Sequence, residues 1–262
     1  MNAVIRAELI RLWRPRTLLT AALAAVLFAV VATLVVFTGA PDAGPVGPQG
    51  GTTLELLARE GGGTEAFATA ASFVGFFIFV TFIAMLAGEF SSGTFRALVL
   101  RNPNRVQVIV GKLVGILLVA AGLVALAQLS SFALSLVLAP GQDVSTGAWF
   151  SIDSLAQGVG DFATVFAGVA GWAVFATALA VVFRSTPLAL GVGFAWMGPI
   201  ENIVVDSWDT GLRVFPGQVL RAVINGGTPE LGFGRAVVTT VLYTGVAAAV
   251  SAVLLTRRDV TA

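Results

Sequence analysis

Long apolar stretches alternate with short polar segments along this chain. A helix needs about 20 apolar residues to cross a hydrocarbon layer of about 30 Å. Stretches of that kind run over 18–38, 66–87, 113–139, 162–183, 188–205 and 236–256. The third is long enough to tilt, and the fifth is short and interrupted. Ahead of the first lies 2–16, where Ile5, Leu9, Leu12 and Trp13 share one helical face and Arg6, Arg11 and Arg14 fall mostly off it. This pattern predicts a basic amphipathic helix lying in a membrane interface and ended by Pro15, not a cleavable signal. Its charge would serve topology alone or accompany a mechanical task. The expected fold is all-α: one polytopic transmembrane domain over 1–262, with six spans and an N-terminal interfacial helix.

Composition agrees with this. Apolar residues make up 57% of the chain and charged residues 11%, against roughly 25% charged in a typical soluble domain. The distribution of the 15 basic residues predicts orientation. The N-terminal segment, the loop after the second span, Arg184 and the pair Arg257–Arg258 lie on one side; Arg59, Arg213, Arg221 and Arg235 lie on the other. Both termini are therefore expected in the cytoplasm, with the chain multi-pass in the cytoplasmic (inner) membrane of a bacterium. The outer segments read as a Gly/Pro-rich loop over 39–65, with a short helix near 54–60, and an acidic loop over 140–161 whose Trp149 and Phe150 suit an interface.

Several chemistries are excluded. The chain has no cysteine and no histidine, so thiolate and imidazole metal sites, cysteine nucleophiles and a Ser–His pair are absent. Gly111-Lys112 lacks the upstream glycine and following hydroxyl of a phosphate-binding loop. No catalytic, cofactor or metal residue is expected on this chain, and no nucleic-acid partner.

Three regions carry candidate mechanism. In 88–115, Phe95, Leu98 and Val99 share a face, Ser91 or Ser92 is placed to cap a short helix, Pro103 closes it and Asn104 caps the next. The result is a compact basic hairpin helix shaped like a knob for a partner's groove, or an ordinary loop. In the fifth span, Gly198, Pro199 and Glu201 interrupt the helix, and 211–227 holds apolar pieces too short to cross, including Phe215 and Pro216. Glu201 fits either a gate or pathway role or structural pairing with an arginine such as Arg213. Within the spans, Phe73, Phe76, Phe77, Phe79 and Phe82 would line a cavity or face lipid. Gln128, Ser131 and Ser135 share a face suited to interhelical hydrogen bonds or, less readily, to substrate.

The order Glu89, Ser91-Ser92-Gly93-Thr94, Arg96, Pro103, Arg105 and Gly111-Lys112 resembles the cytoplasmic loop of ABC-2-type transporter permeases, the membrane subunits of ABC exporters. The short basic end, Arg257-Arg258-Asp259, fits the same pattern. The resemblance implies that 89–104 is a coupling loop docking on a separate cytoplasmic ABC ATPase, with Glu89, Gly93, Thr94, Phe95, Arg96, Arg101 and Arg105 as its residues. Glu89 would transmit motion or anchor the helix end, paired with an arginine of the loop or the N-terminal helix. It further implies ATP and Mg on that partner, a second copy of the chain, and contact with membrane lipid. The broken fifth span with re-entrant outer helices would form an outer gate around Pro199, Glu201, Phe215 and Pro216. Phe73, Phe76, Phe79, Gln128 and Ser131 are the candidate cavity. The implied activity is export of an apolar or amphipathic substrate: a drug, antibiotic or lipid. An ion-coupled secondary transporter and a non-transporting scaffold or sensor are the alternatives.

Overall fold

The computed structural model describes residues 2–44, 52–101 and 104–258, apart from the side chains of 2–3, 72–74, 76 and 101. It is helical throughout, with one isolated antiparallel bridge, Gly227 to Gly232, among the described residues. Helix α1 (Asn2–Leu12) leads into α2 (Pro15–Gly39); Pro15 sits at the first helical position, where its missing N–H costs nothing. After α3 (Leu54–Leu57), capped by the Thr53 side chain, comes α4 (Gly62–Ser91). Gly93, at φ +72°, makes the left-handed turn into α5 (Thr94–Arg101), which bends away from α4 by 66°. Next come α6 (Arg105–Leu138), two 3₁₀ turns at Ala139–Gln142 and Gly147–Phe150, and α7 (Ile152–Phe183). The chain closes with α8 (Thr186–Ala195), α9 (Glu201–Val205), α10 (Gly211–Val214), α11 (Pro216–Ile224) and α12 (Phe233–Arg257).

Among the described residues, five helices are long and apolar enough to cross a membrane, or six if α4 and α5 are one bent element. This is the architecture of a polytopic membrane protein. Helices α2 and α12 lie at the periphery. They present rows of exposed leucine and valine, such as Leu19, Leu23 and Leu27 on one and Val238, Leu242 and Val246 on the other. Such continuous apolar faces are stable against hydrocarbon, not water. The core lies between α4 and α7, where Phe79 meets Trp172 at 5.0 Å and Ala173, Ala176 and Ala180 are fully buried. Small residues on α7 let neighbours approach closely. A Cβ at Gly168 would lie 2.3 Å from the Ile224 side chain, and one at Gly171 would lie 2.4 Å from Leu220.

Side-chain contacts sort the helix ends into two groups. Helix α1, the end of α4, the start of α6, the junction of α7 and α8 and the end of α12 share one end. At the opposite end, the N-cap of α4, Gly61, donates to Ser154 at the start of α7 at 2.9 Å; α10 is joined to the middle of α12 through Tyr243.

Some boundaries differ from the hydropathy reading. Helix α6 begins at Arg105, because Asn104 accepts from the Gln107 N–H at 3.0 Å and starts it early. Helix α7 begins at Ile152, capped by Ser151, so ten residues read as loop are helical. Trp149 does not sit at an exposed interface. It is buried, and its indole N–H donates to the Leu57 carbonyl at 2.8 Å, pinning α3; Phe150 is the exposed ring. The fifth span is not severed. Thr186–Val205 is a continuous run of 20 residues carrying a π turn at Trp196–Ile200. The wider turn absorbs Pro199, which offers no N–H and would clash in a regular α turn.

Candidate functional site

At the end of the bundle that holds α1 and the close of α12, four charged side chains meet. The Lys112 ammonium lies 2.7 Å from Glu8 and 2.8 Å from Glu89, and Arg11 reaches Glu89 at 2.5 Å and also pairs with Glu8. Lys112 and Glu8 are 4% exposed at the side chain and Glu89 8%, so the network is dry apart from the Arg11 flank. Its charges cancel: two carboxylates against two cations. Burial of this kind is tolerated only with full pairing, since an unpaired charge here would be strongly destabilising.

Helix α6 makes room for the network. Gly111 and Gly115 lie one turn apart on it, and Cβ atoms there would each lie 2.9 Å from a side chain of α1, Val4 and Glu8 respectively. The two glycines therefore form the strip on which α1 rests. The inward face of α1 is Val4, Glu8 and Leu12, whereas Arg6, Trp13 and Arg14 are exposed. Glu89 thus joins an arginine of the N-terminal helix, one of the pairings open to it in the sequence. Glu8 was not legible as a partner; the signals were a lone acid in a basic segment and the chain's single lysine just ahead of an apolar span.

Helix α5 hangs beside this network. Phe95 is buried 4.4 Å from Phe90, in a cluster with Val108, Ile109, Val181 and Leu255. It is an anchor and not an outward contact, which corrects the expectation for it. Leu98 and Val99 pack on the same cluster, leaving Thr94, Arg96, Ala97 and Leu100 exposed. Arg105 is also engaged internally, donating to the Leu255 and Arg258 carbonyls at 3.1 and 2.7 Å, where it satisfies the end of α12. Beside it, burial and the neighbouring Arg258 and Arg105 guanidinium groups push the Arg184 pKa down. Ser91 does not cap α5; it receives the Thr186 N–H at 3.1 Å and joins the end of α4 to the start of α8. The side chain of Arg101 and residue Pro103 lie outside the described residues, as does Asp259.

A second assembly occupies the opposite half. Glu201 is fully buried and accepts the Gly217 N–H at 3.0 Å, at the N-terminus of α11. Backbone N–H groups at a helix N-terminus suit an anion. A Cβ on Gly217 would lie 2.5 Å from that carboxylate, so glycine is required for the approach. Arg221, one turn on, is the cation whose field reaches Glu201, in place of the expected Arg213. Phe215 packs edge-on against Trp196 and Trp208, and Pro216 opens α11. Of the four residues expected at a gate, Glu201, Phe215 and Pro216 gather at the start of α11, whereas Pro199 is exposed in the π turn before Glu201.

Three of the five expected cavity residues are engaged inside the bundle instead. Phe79 is sealed in the core, Gln128 donates to the Gly158 carbonyl at 2.7 Å, and Ser131 bonds Thr33 at 2.7 Å. The side chains of Phe73 and Phe76 lie outside the described residues. An apolar cleft of about 390 Å³ runs between α2, α4 and α6 and includes Phe77 and Phe82. No group of three or more metal-ligating side chains occurs among the described residues.

Comparison with curated proteins finds no match. A family pattern described as "Protein of unknown function (DUF2705)" matches residues 54–261, from α3 to the C-terminal end, leaving α1 and α2 outside the match. Most of the chain is covered, and the protein belongs to the DUF2705 family.

Proposed function

We propose that this chain is the membrane subunit of an ATP-driven exporter, working with a separate cytoplasmic ATPase and a second copy of itself. The observation that carries the reading is α5. It is a short amphipathic helix turned 66° from α4, locked inward by Phe95 and presenting Thr94, Arg96, Ala97 and Leu100 outward. A helix held in this way transmits a push on its outer face, because its inner face is packed on α6, α7 and α12 instead of floating in a loop. The Glu8–Lys112–Glu89–Arg11 network lies where α4 leaves the bundle, so displacement of α5 would be shared with α1 and α6. The cluster around Glu201 and α11 would close the far side, and the substrate would be apolar or amphipathic.

The test is co-purification with the candidate ATPase and vanadate-sensitive ATP hydrolysis by the complex. Arg96→Glu with Leu100→Asp should abolish binding while the membrane subunit stays folded. Unchanged binding and hydrolysis would overturn the proposal. The buried Glu201 favours a second reading, ion-coupled transport. Substrate movement driven by an ion gradient without any ATPase would select it.

A further inference from the structure

We propose that the cleft between α2, α4 and α6 is a binding site for one acyl chain of an anionic phospholipid, whose phosphate sits at Arg14 and Arg16. The site does not depend on the exporter reading. Its walls are almost wholly apolar: Ala21, Ala25 and Phe28 from α2, Ile78 and Phe82 from α4, and Ala120 from α6 are representative. Exposed Ala24, Phe77 and Thr81 border it, so it opens sideways onto the surface that the spanning helices present to hydrocarbon. Its dimensions fit one leaflet. The α2 wall from Thr17 to Phe28 and the α6 wall from Ile116 to Ala127 are each about 17 Å long at about 1.5 Å per residue. Half of a hydrocarbon core is about 15 Å. The α4 wall continues further, to Phe67.

Charge at one mouth of the cleft selects the headgroup. Leu12, Thr17 and Leu18 form that mouth, and Arg14 and Arg16 flank it, both exposed. Among the described residues, Arg6, Arg14 and Arg16 make no ion pair within the chain. The acids near this end, Glu8 and Glu89, are consumed by Lys112 and Arg11. The mouth therefore carries uncompensated positive charge at the depth where a phosphate would lie when its chain fills the cleft. Exposed Trp13 beside it is the residue type that settles at headgroup level.

The experiment is native mass spectrometry of the full chain, delipidated in mild detergent and titrated with dioleoyl phosphatidylglycerol or dioleoyl phosphatidylcholine. One phosphatidylglycerol should be retained in preference to phosphatidylcholine. Each arginine near such a surface contributes about fivefold, so Arg14→Gln with Arg16→Gln should erase about thirtyfold of that preference. Ala24→Trp and Ala120→Phe, which fill the cleft from two different helices, should each abolish retention. Leu242→Trp, on the exposed face of α12, should leave it unchanged. Equal retention of the two lipids, or retention in both filled variants, overturns the proposal. So does an equal loss in the α12 variant, which would mean only annular contact.

Discussion

Replacing Lys112 with Met removes the ammonium that lies between Glu8 and Glu89 while keeping a stem of similar length. Those two carboxylates would then share a pocket in which their side chains are 4% and 8% exposed, with only Arg11, 39% exposed, left to answer them. Removing one partner of a buried pair costs about 3–5 kcal/mol, because the remaining charge is neither hydrated nor paired. For a chain of this size that is roughly 6–20 °C in Tm. The assay is thermal unfolding of purified protein in a fixed detergent, comparing wild type, Lys112→Met, Glu8→Gln and the double variant. Lys112→Met leaves one net negative charge, and the double variant restores neutrality. The double variant should recover much of the loss, giving a coupling energy of opposite sign to the single effects. A Lys112→Met protein that melts within two or three degrees of wild type would refute the reasoning. So would a double variant no better than the single.

Four further outcomes follow from the packing. Gly115→Ala places a Cβ 2.9 Å from Glu8 and should loosen α1, read as a greater distance between spin labels on α1 and α6 and a lower Tm. Gly122→Ala on the same helix meets nothing within 4 Å, and should stabilise by about 0.4–1 kcal/mol through the unfolded chain. Gly217→Ala should cost about 1–3 kcal/mol by overpacking against Glu201, with the loss eased in combination with Glu201→Ala. Trp149→Phe keeps the ring but orphans the buried Leu57 carbonyl; it should cost about 1 kcal/mol and raise hydrogen exchange in α3 above that of α4.

Hydrophobic runs made the spans readable, and Asn104 and the short helix at Leu54–Leu57 carry local signals that no tertiary contact overrides. Direction was not readable. Phe95, Leu98 and Val99 share a face in the sequence, but 3.6-residue periodicity says only that a face is apolar. It does not distinguish a partner's groove from the protein's own core, and here the core takes it. Trp149 misled for a related reason: a ring with one polar atom suits a headgroup layer and also a buried carbonyl acceptor. Glu8 was hidden because its two cations come from 3 and 104 positions away, and only the fold brings the second one close. The cleft lies between α2, α4 and α6, so no single helix pattern encodes it.

The π turn at Trp196–Ile200 has a consequence for how the far end can change over time. A π turn holds one residue more than the α turn it replaces, and it persists because the rest of the helix is already in place. Deleting a single residue there, such as Met197, would let the helix relax to α geometry. The residue removed is the one the wider turn absorbs, so everything after it would keep its direction about the helix axis, and Glu201 would still reach the Gly217 N–H. A regular α-helix has no such slack: one residue lost there turns all that follows by about 100°. The turn is thus a place where chain length can change by one residue without redirecting the carboxylate beyond it.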